Sequence, residues 1–134
     1  MEQPLKHCVF IVDDDADDRE SIRDAFLENA HHQDYVFMHN GDQLIGHFSD
    51  LPAKKHPSLI LLDLNMPGRD GRNVLEEIKG NEQLRPIPVI VISTSSAQKD
   101  RETSYRLGAN CFLTKPNSYQ ELCEITDSIA KLWL

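Results

Sequence analysis

Five aspartates fall within six positions, Asp13, Asp14, Asp15, Asp17 and Asp18, directly after the apolar run CVFIV at 8–12. Crowded carboxylates repel one another, and buried ones raise each other's pKa unless a cation is shared among them. A hard divalent ion such as Mg²⁺ takes carboxylate, carbonyl and water oxygens. Asp13 and Asp14 sit at the end of the run, before any helix can begin, and are candidate metal ligands. Asp15, Asp17 and Asp18 have a plainer use: aspartate at a helix N-cap or first turn accepts free amides and suits the helix dipole, at ~0.3–1 kcal/mol each.

Three further apolar runs end in groups with chemistry. LILLD (59–63) ends in Asp63, PVIVIS (88–93) in Ser93 followed by Thr94, and CFLTK (111–115) in Lys115 followed by Pro116. Carboxylates, a hydroxyl and an ammonium would meet only if all these runs are strands ending at one edge. Taken singly, Asp63 reads as a turn former, Lys115 as a surface charge and Ser93 as a loop hydroxyl.

The pattern along the chain supplies that edge. Together with YVFMH (35–39) the runs make five strands, and those at 8–12, 59–63 and 88–93 are almost continuously apolar. Such strands are buried on both faces, as in a parallel sheet covered by helices. Helices are expected at 16–30 (apolar Ile22, Ala25, Phe26, Ala30), 42–50 (Leu44, Ile45, Phe48) and 71–80 (Val74, Leu75, Ile78, after the breaker Pro67-Gly68). Another is expected at 98–107, the most polar and the least firmly packed. The last, 118–133, opens on the capping box Ser118-x-x-Glu121 and carries Leu122, Ile125, Ile129 and Leu132. Five βα units predict one α/β domain over 1–134, a three-layer, doubly wound five-stranded parallel sheet with its site beyond the carboxyl ends of the strands.

FIVDDD, LILLDLNMPGRDG, VIVIST and LGANCFLTKP, in that order and spacing, resemble the motif set of CheY-like receiver domains of two-component response regulators, from about residue 7 to the end. LGANCFLTKP and the Ser-Thr pair are similar in particular to stand-alone regulators of the phytochrome-associated type. The resemblance implies strand order 2-1-3-4-5 and Asp63 as the acceptor of a phosphoryl group from a sensor histidine kinase. It implies Mg²⁺ held directly by Asp14, through water by Asp13, and by Asp63 and the Asn65 carbonyl. Lys115 would pair with Asp63 and then with the phosphoryl group, aimed inward by a cis Lys115–Pro116 bond. Counting back from Gly108 gives Ser93 as the switch hydroxyl, with Thr94 the alternative; adjacent strand side chains face opposite ways, so only one can serve. Phe112 falls at the aromatic switch position, or is simply a strand aromatic. Asn65 and Ser95 lie where phosphoryl lifetime is tuned.

The remaining features narrow the function. A net charge of −8 without a basic run argues against nonspecific binding to nucleic acid or an anionic membrane. No signal region is evident, and the longest apolar runs fall far short of the ~20 residues of a membrane span. Three widely spaced cysteines, Cys8, Cys111 and Cys123, suit reduced thiols in a cytoplasm. The histidines at 7, 31, 32, 39, 47 and 56 form no zinc pattern and are read as surface or partly buried, and LGAN is no phosphate-binding glycine loop.

A haloacid-dehalogenase-type phosphatase would also use a strand-end aspartate and Mg²⁺, but it needs a second aspartate where this chain has Asn65, followed by Met66-Pro67. A receiver-like scaffold that works without phosphorylation is the other rival. With no output domain expected after the fifth helix, the expected partners are the kinase and a downstream target or phosphotransfer protein. A second copy could pair through the switch surface, with Tyr105 or Trp133 taking part; Trp133 could instead lid the last helix.

Overall fold

The computed structural model describes residues 8–50, 56–68 and 70–134. His7 therefore lies outside the described residues. Five strands alternate with five helices: β1 (Cys8–Val12), α1 (Ala16–Glu28), β2 (Asp34–Met38), α2 (Gly41–Asp50), β3 (Leu59–Leu62), α3 (Gly71–Gly80), β4 (Val89–Ser93), α4 (Gln98–Arg106), β5 (Cys111–Thr114) and α5 (Tyr119–Trp133). The strands form one parallel sheet in the order β2-β1-β3-β4-β5, as expected from the motifs.

Alternation along the strands divides the core into two layers. Phe10, Val12, Ile60, Leu62, Val89 and Val91 face one side with Leu44 of α2 and Val74, Leu75 and Ile78 of α3. Val9, Ile11, Leu59, Leu61, Ile90 and Ile92 face the other with Ile22, Ala25 and Phe26 of α1 and Leu122, Ile129 and Ala130 of α5. Each of the larger side chains contributes about 1.5–3 kcal/mol on leaving water, so the strands that need covering on both faces dictate the three layers.

Two expected core positions fall outside it. Ala30 lies beyond α1 with φ of 62° and is exposed, because the helix stops at Glu28 and the His31 amide turns back to the Phe26 carbonyl. Leu132 is 78% exposed, since Thr126, Ile129, Ala130 and Trp133 supply the inward stripe of α5. Trp133 is half-buried against that stripe, which fits the lid reading. The polar α4 buries only Ser104, as its composition predicts.

Local chemistry fixes the helix starts. Asp15 caps α1, accepting from the Asp18 amide at 3.1 Å, and Ser118 caps α5, accepting from the Glu121 amide at 3.1 Å. Asp70 caps α3 at the Arg72 amide. Gly71 allows α3 to start against the end of β3: a Cβ there would lie 2.6 Å from the Asp63 carbonyl oxygen and 2.7 Å from Leu64 Cα. Any other residue would push the helix off the strand that carries Asp63.

Candidate functional site

At the carboxyl edge of the sheet, adjacent β1 and β3 end in Asp13 and Asp63, both buried, while Asp14 beside them is exposed. Carboxylate oxygens of the three lie within 4.8 Å of one another. The Lys115 ammonium, just past β5, bonds Asp13 at 2.9 Å and Asp18 at 2.9 Å and stands 3.6 Å from Asp63. Three carboxylates thus share one ammonium.

Burial shapes the ionisation. It raises the Asp13 and Asp63 pKa values above the usual carboxylate range, although Lys115 and the Asp15 and Asn65 amides pull the other way. Burial alone would depress Lys115, but the bonds to Asp13 and Asp18 and the charge of Asp63 hold it above the ordinary lysine range. A single ammonium shared by several acids leaves the edge short of positive charge. An all-oxygen donor set with unmet negative charge fits a hard divalent cation, and Asp13, Asp14 and Asp63 are the residues that would hold it.

The β4 end completes the edge. Ser93 is fully buried; its hydroxyl accepts from the Asn65 side-chain amide at 3.3 Å and from the Ser95 amide at 3.1 Å. Thr94, next in the chain, is exposed. Asn65 also donates its backbone amide to Asp63 at 3.2 Å. The Lys115 amide donates to the Ser93 carbonyl at 2.7 Å, which registers β5 against β4 and brings the lysine to the aspartates. Phe112 is buried on the α3 side of the sheet with the Arg101 guanidinium 5.2 Å from its ring centre, and its amide donates to the Tyr105 hydroxyl at 3.1 Å.

One expectation is corrected. No cis peptide bond occurs among the described residues, so Lys115–Pro116 is trans. The flexible lysine stem reaches both Asp13 and Asp18 from a trans bond, which X–Pro peptides favour by about 0.5–1 kcal/mol. Pro116 instead lines a cavity of about 210 Å³ between Asp18, Ser21 and the start of α5.

Two features were not foreseen. The sequence explains Asp18 as a helix-start residue, yet its carboxylate is a full partner of Lys115; its place three residues after the cap Asp15 gives the helix role but not the direction in which the side chain points. Arg19, from the same turn, donates to the Asp13 carbonyl at 2.6 Å and braces the end of β1. The described histidines take no part: His31 bonds Asp127 at 2.9 Å, His47 and His56 pack edge-on to Phe10 and Phe48, and His32 and His39 are exposed.

Comparison with known proteins adds an independent line. A family model described as response regulator receiver domain matches residues 9–127. The response regulator Rcp1 of a Synechocystis species is 34% identical over 132 residues, spanning 94% of this chain and 88% of that protein. The phosphorylated cyanobacterial phytochrome response regulator RcpA superposes with a TM-score of 0.87 at 35% identity, over 96% of this chain and 94% of that one. The Mn²⁺-bound form of Rcp1 gives a TM-score of 0.84 at 32% identity, over 97% and 95% of the two chains.

Proposed function

Because the chain belongs to the response regulator receiver domain family of two-component signalling, we propose that Asp63 accepts a phosphoryl group from the phosphohistidine of a sensor histidine kinase, and that the resulting acyl phosphate switches a protein-binding surface. The observation that carries this reading is the convergence of Asp13, Asp14 and Asp63 within 4.8 Å, with Lys115 3.6 Å from Asp63 and the Ser93 hydroxyl bonded to the side chain of Asn65, whose backbone amide donates to Asp63. An Asp63 carboxylate oxygen attacks phosphorus in line; the P–O bond forms as the P–N bond breaks, and the electron pair leaves with the imidazole.

Bound at Asp13, Asp14, Asp63 and the Asn65 carbonyl, Mg²⁺ would supply charge compensation for the carboxylates and the phosphoryl oxygens. Lys115 moves its ammonium onto a phosphoryl oxygen, a transfer that a compact charge on a flexible stem permits. Ser93 donates its hydroxyl to a second oxygen and draws the loop after β4 inward. Repositioning that loop alters the α4–β5–α5 surface, where α4 is the least buried helix. Turning such a switch from mostly off to mostly on takes about 5.5 kcal/mol of differential stabilisation.

The protein acts on its own phosphoryl group and turns over no external substrate. Its partners are the kinase, for which the likeness to RcpA favours the phytochrome type, and a downstream target or phosphotransfer protein; a second copy of the chain is a further partner through the same surface. It works in the cytoplasm. Among the described residues no helix is long and apolar enough to cross a membrane.

Intact-mass analysis after incubation with acetyl phosphate and Mg²⁺ tests the reading. A gain of one phosphoryl group, abolished by Asp63→Asn, supports it. No gain points to the phosphorylation-independent scaffold, and sustained hydrolysis of a generic phosphomonoester points to the phosphatase.

A further inference from the structure

We infer that Asp18 is a positioning residue that sets the resting place of the Lys115 ammonium and competes with the phosphoryl group for it. The inference rests on the reading of Asp63 as phosphoacceptor. Lys115 lies 2.9 Å from Asp13 and 2.9 Å from Asp18 but 3.6 Å from Asp63, so at rest the ammonium leans toward α1 and away from the nucleophile.

The two nearer carboxylates differ in what else they can hold. Asp13 belongs to the trio that converges on a cation site, so a divalent ion there displaces the ammonium from it. Asp18 stands outside that trio, in the first turn of α1 at the mouth of the cavity that Lys115 and Pro116 line. It is then the carboxylate that keeps the ammonium at the edge of the site while the metal is bound. To reach a phosphoryl oxygen on Asp63, Lys115 must leave Asp18, and that bond opposes the phosphorylated arrangement. The Asp18 side chain is 44% exposed, which makes its hold on Lys115 one that a more highly charged group can overcome.

Beryllofluoride, a stable mimic of the phosphoryl group, isolates this competition from kinase and hydrolysis chemistry. Its affinity in the presence of Mg²⁺ is read by ¹H–¹⁵N NMR titration of the full chain. Asp18→Asn should bind beryllofluoride about two- to fivefold more tightly, the size of a half-exposed ion pair. The gain should vanish in a Lys115→Met background, where there is no ammonium to compete for. Asp17→Asn removes the same charge from the same helix turn, at an exposed position one residue earlier, and should leave the affinity unchanged. An unchanged or weaker affinity for Asp18→Asn would overturn the inference, as would an equal gain in Asp17→Asn or a gain that persists without Lys115. If the wild-type chain binds no beryllofluoride, the phosphoacceptor reading itself fails, and the inference with it.

Discussion

The Ser95 hydroxyl donates to the Asp100 carboxylate at 2.5 Å, while Arg72 of α3 donates to the other oxygen of that carboxylate at 2.8 Å. Hydrogen bonds from Ser95 and Arg72, helped by the Arg72 charge, depress the Asp100 pKa, and the bond to Asp100 raises that of Arg72. Because the Ser95 amide also donates to the Ser93 hydroxyl, that buried hydroxyl is tied through one short loop to both α3 and α4. Moving Ser93 toward a phosphoryl oxygen therefore strains this latch, and α4, with only Ser104 buried, is the element free to follow.

Cutting the latch should loosen the loop without touching the acidic edge. In Asp100→Ala, amide exchange over residues 93–106 is expected to quicken while that of β1 and β3 stays as in the wild type. Unchanged exchange in the loop would show that Ser95 is held by other means. The depressed Asp100 carboxyl contributes stability that is present above its ordinary pKa and lost as pH falls through its folded value, so the same loosening should appear in the wild type under acid conditions.

Ser93 and Thr94 should separate cleanly. Ser93→Ala leaves Asp63 able to take a phosphoryl group, but the exchange difference across 93–115 between the two states should shrink to near nothing. Thr94→Ala should keep it. A variant pair with the opposite behaviour would move the switch to Thr94.

Asp63→Asn should stabilise the metal-free fold. A buried carboxyl with a raised pKa favours the folded state below its ordinary value, and that contribution is lost as pH rises through the raised value. At neutral pH in chelator the amide variant should be more stable by about 1 kcal/mol, with the gap narrowing toward pH 4. Urea denaturation at several pH values checks this; a less stable variant at neutral pH would mean that the bond to Lys115 outweighs burial.

Gly71→Ala probes the packing of α3 on the strand that leads to Asp63. With backbone at 2.6 Å and 2.7 Å from the new methyl group, neither side can yield cheaply, and a loss of about 1–3 kcal/mol is expected. Mg²⁺ affinity should fall as well, since Asp63 is displaced with its strand. Wild-type stability would show that the helix start shifts freely.

Much of this was legible in the sequence because the governing signals are local and redundant. Uninterrupted apolar runs gave the buried parallel strands, and their terminal residues gave Asp13, Asp63, Ser93 and Lys115. Signals that depend on direction were not legible. Asp18 sits where helix capping explains it fully, and only the fold shows it turned toward a lysine 97 positions away. Ala30 and Leu132 are apolar at helical spacing, yet one lies past the turn that ends α1 and the other off the inward face of α5. The trans Lys115–Pro116 bond had no sequence signal, since either isomer fits the dipeptide.

Locating the phosphoryl group is the most direct measurement. After reaction with acetyl phosphate and Mg²⁺, borohydride reduction converts an acyl phosphate to an alcohol, and peptide mass mapping shows where. Reduction confined to residue 63, and absent when Mg²⁺ is chelated, is the predicted result. Modification at another carboxylate, or none anywhere, would contradict the account.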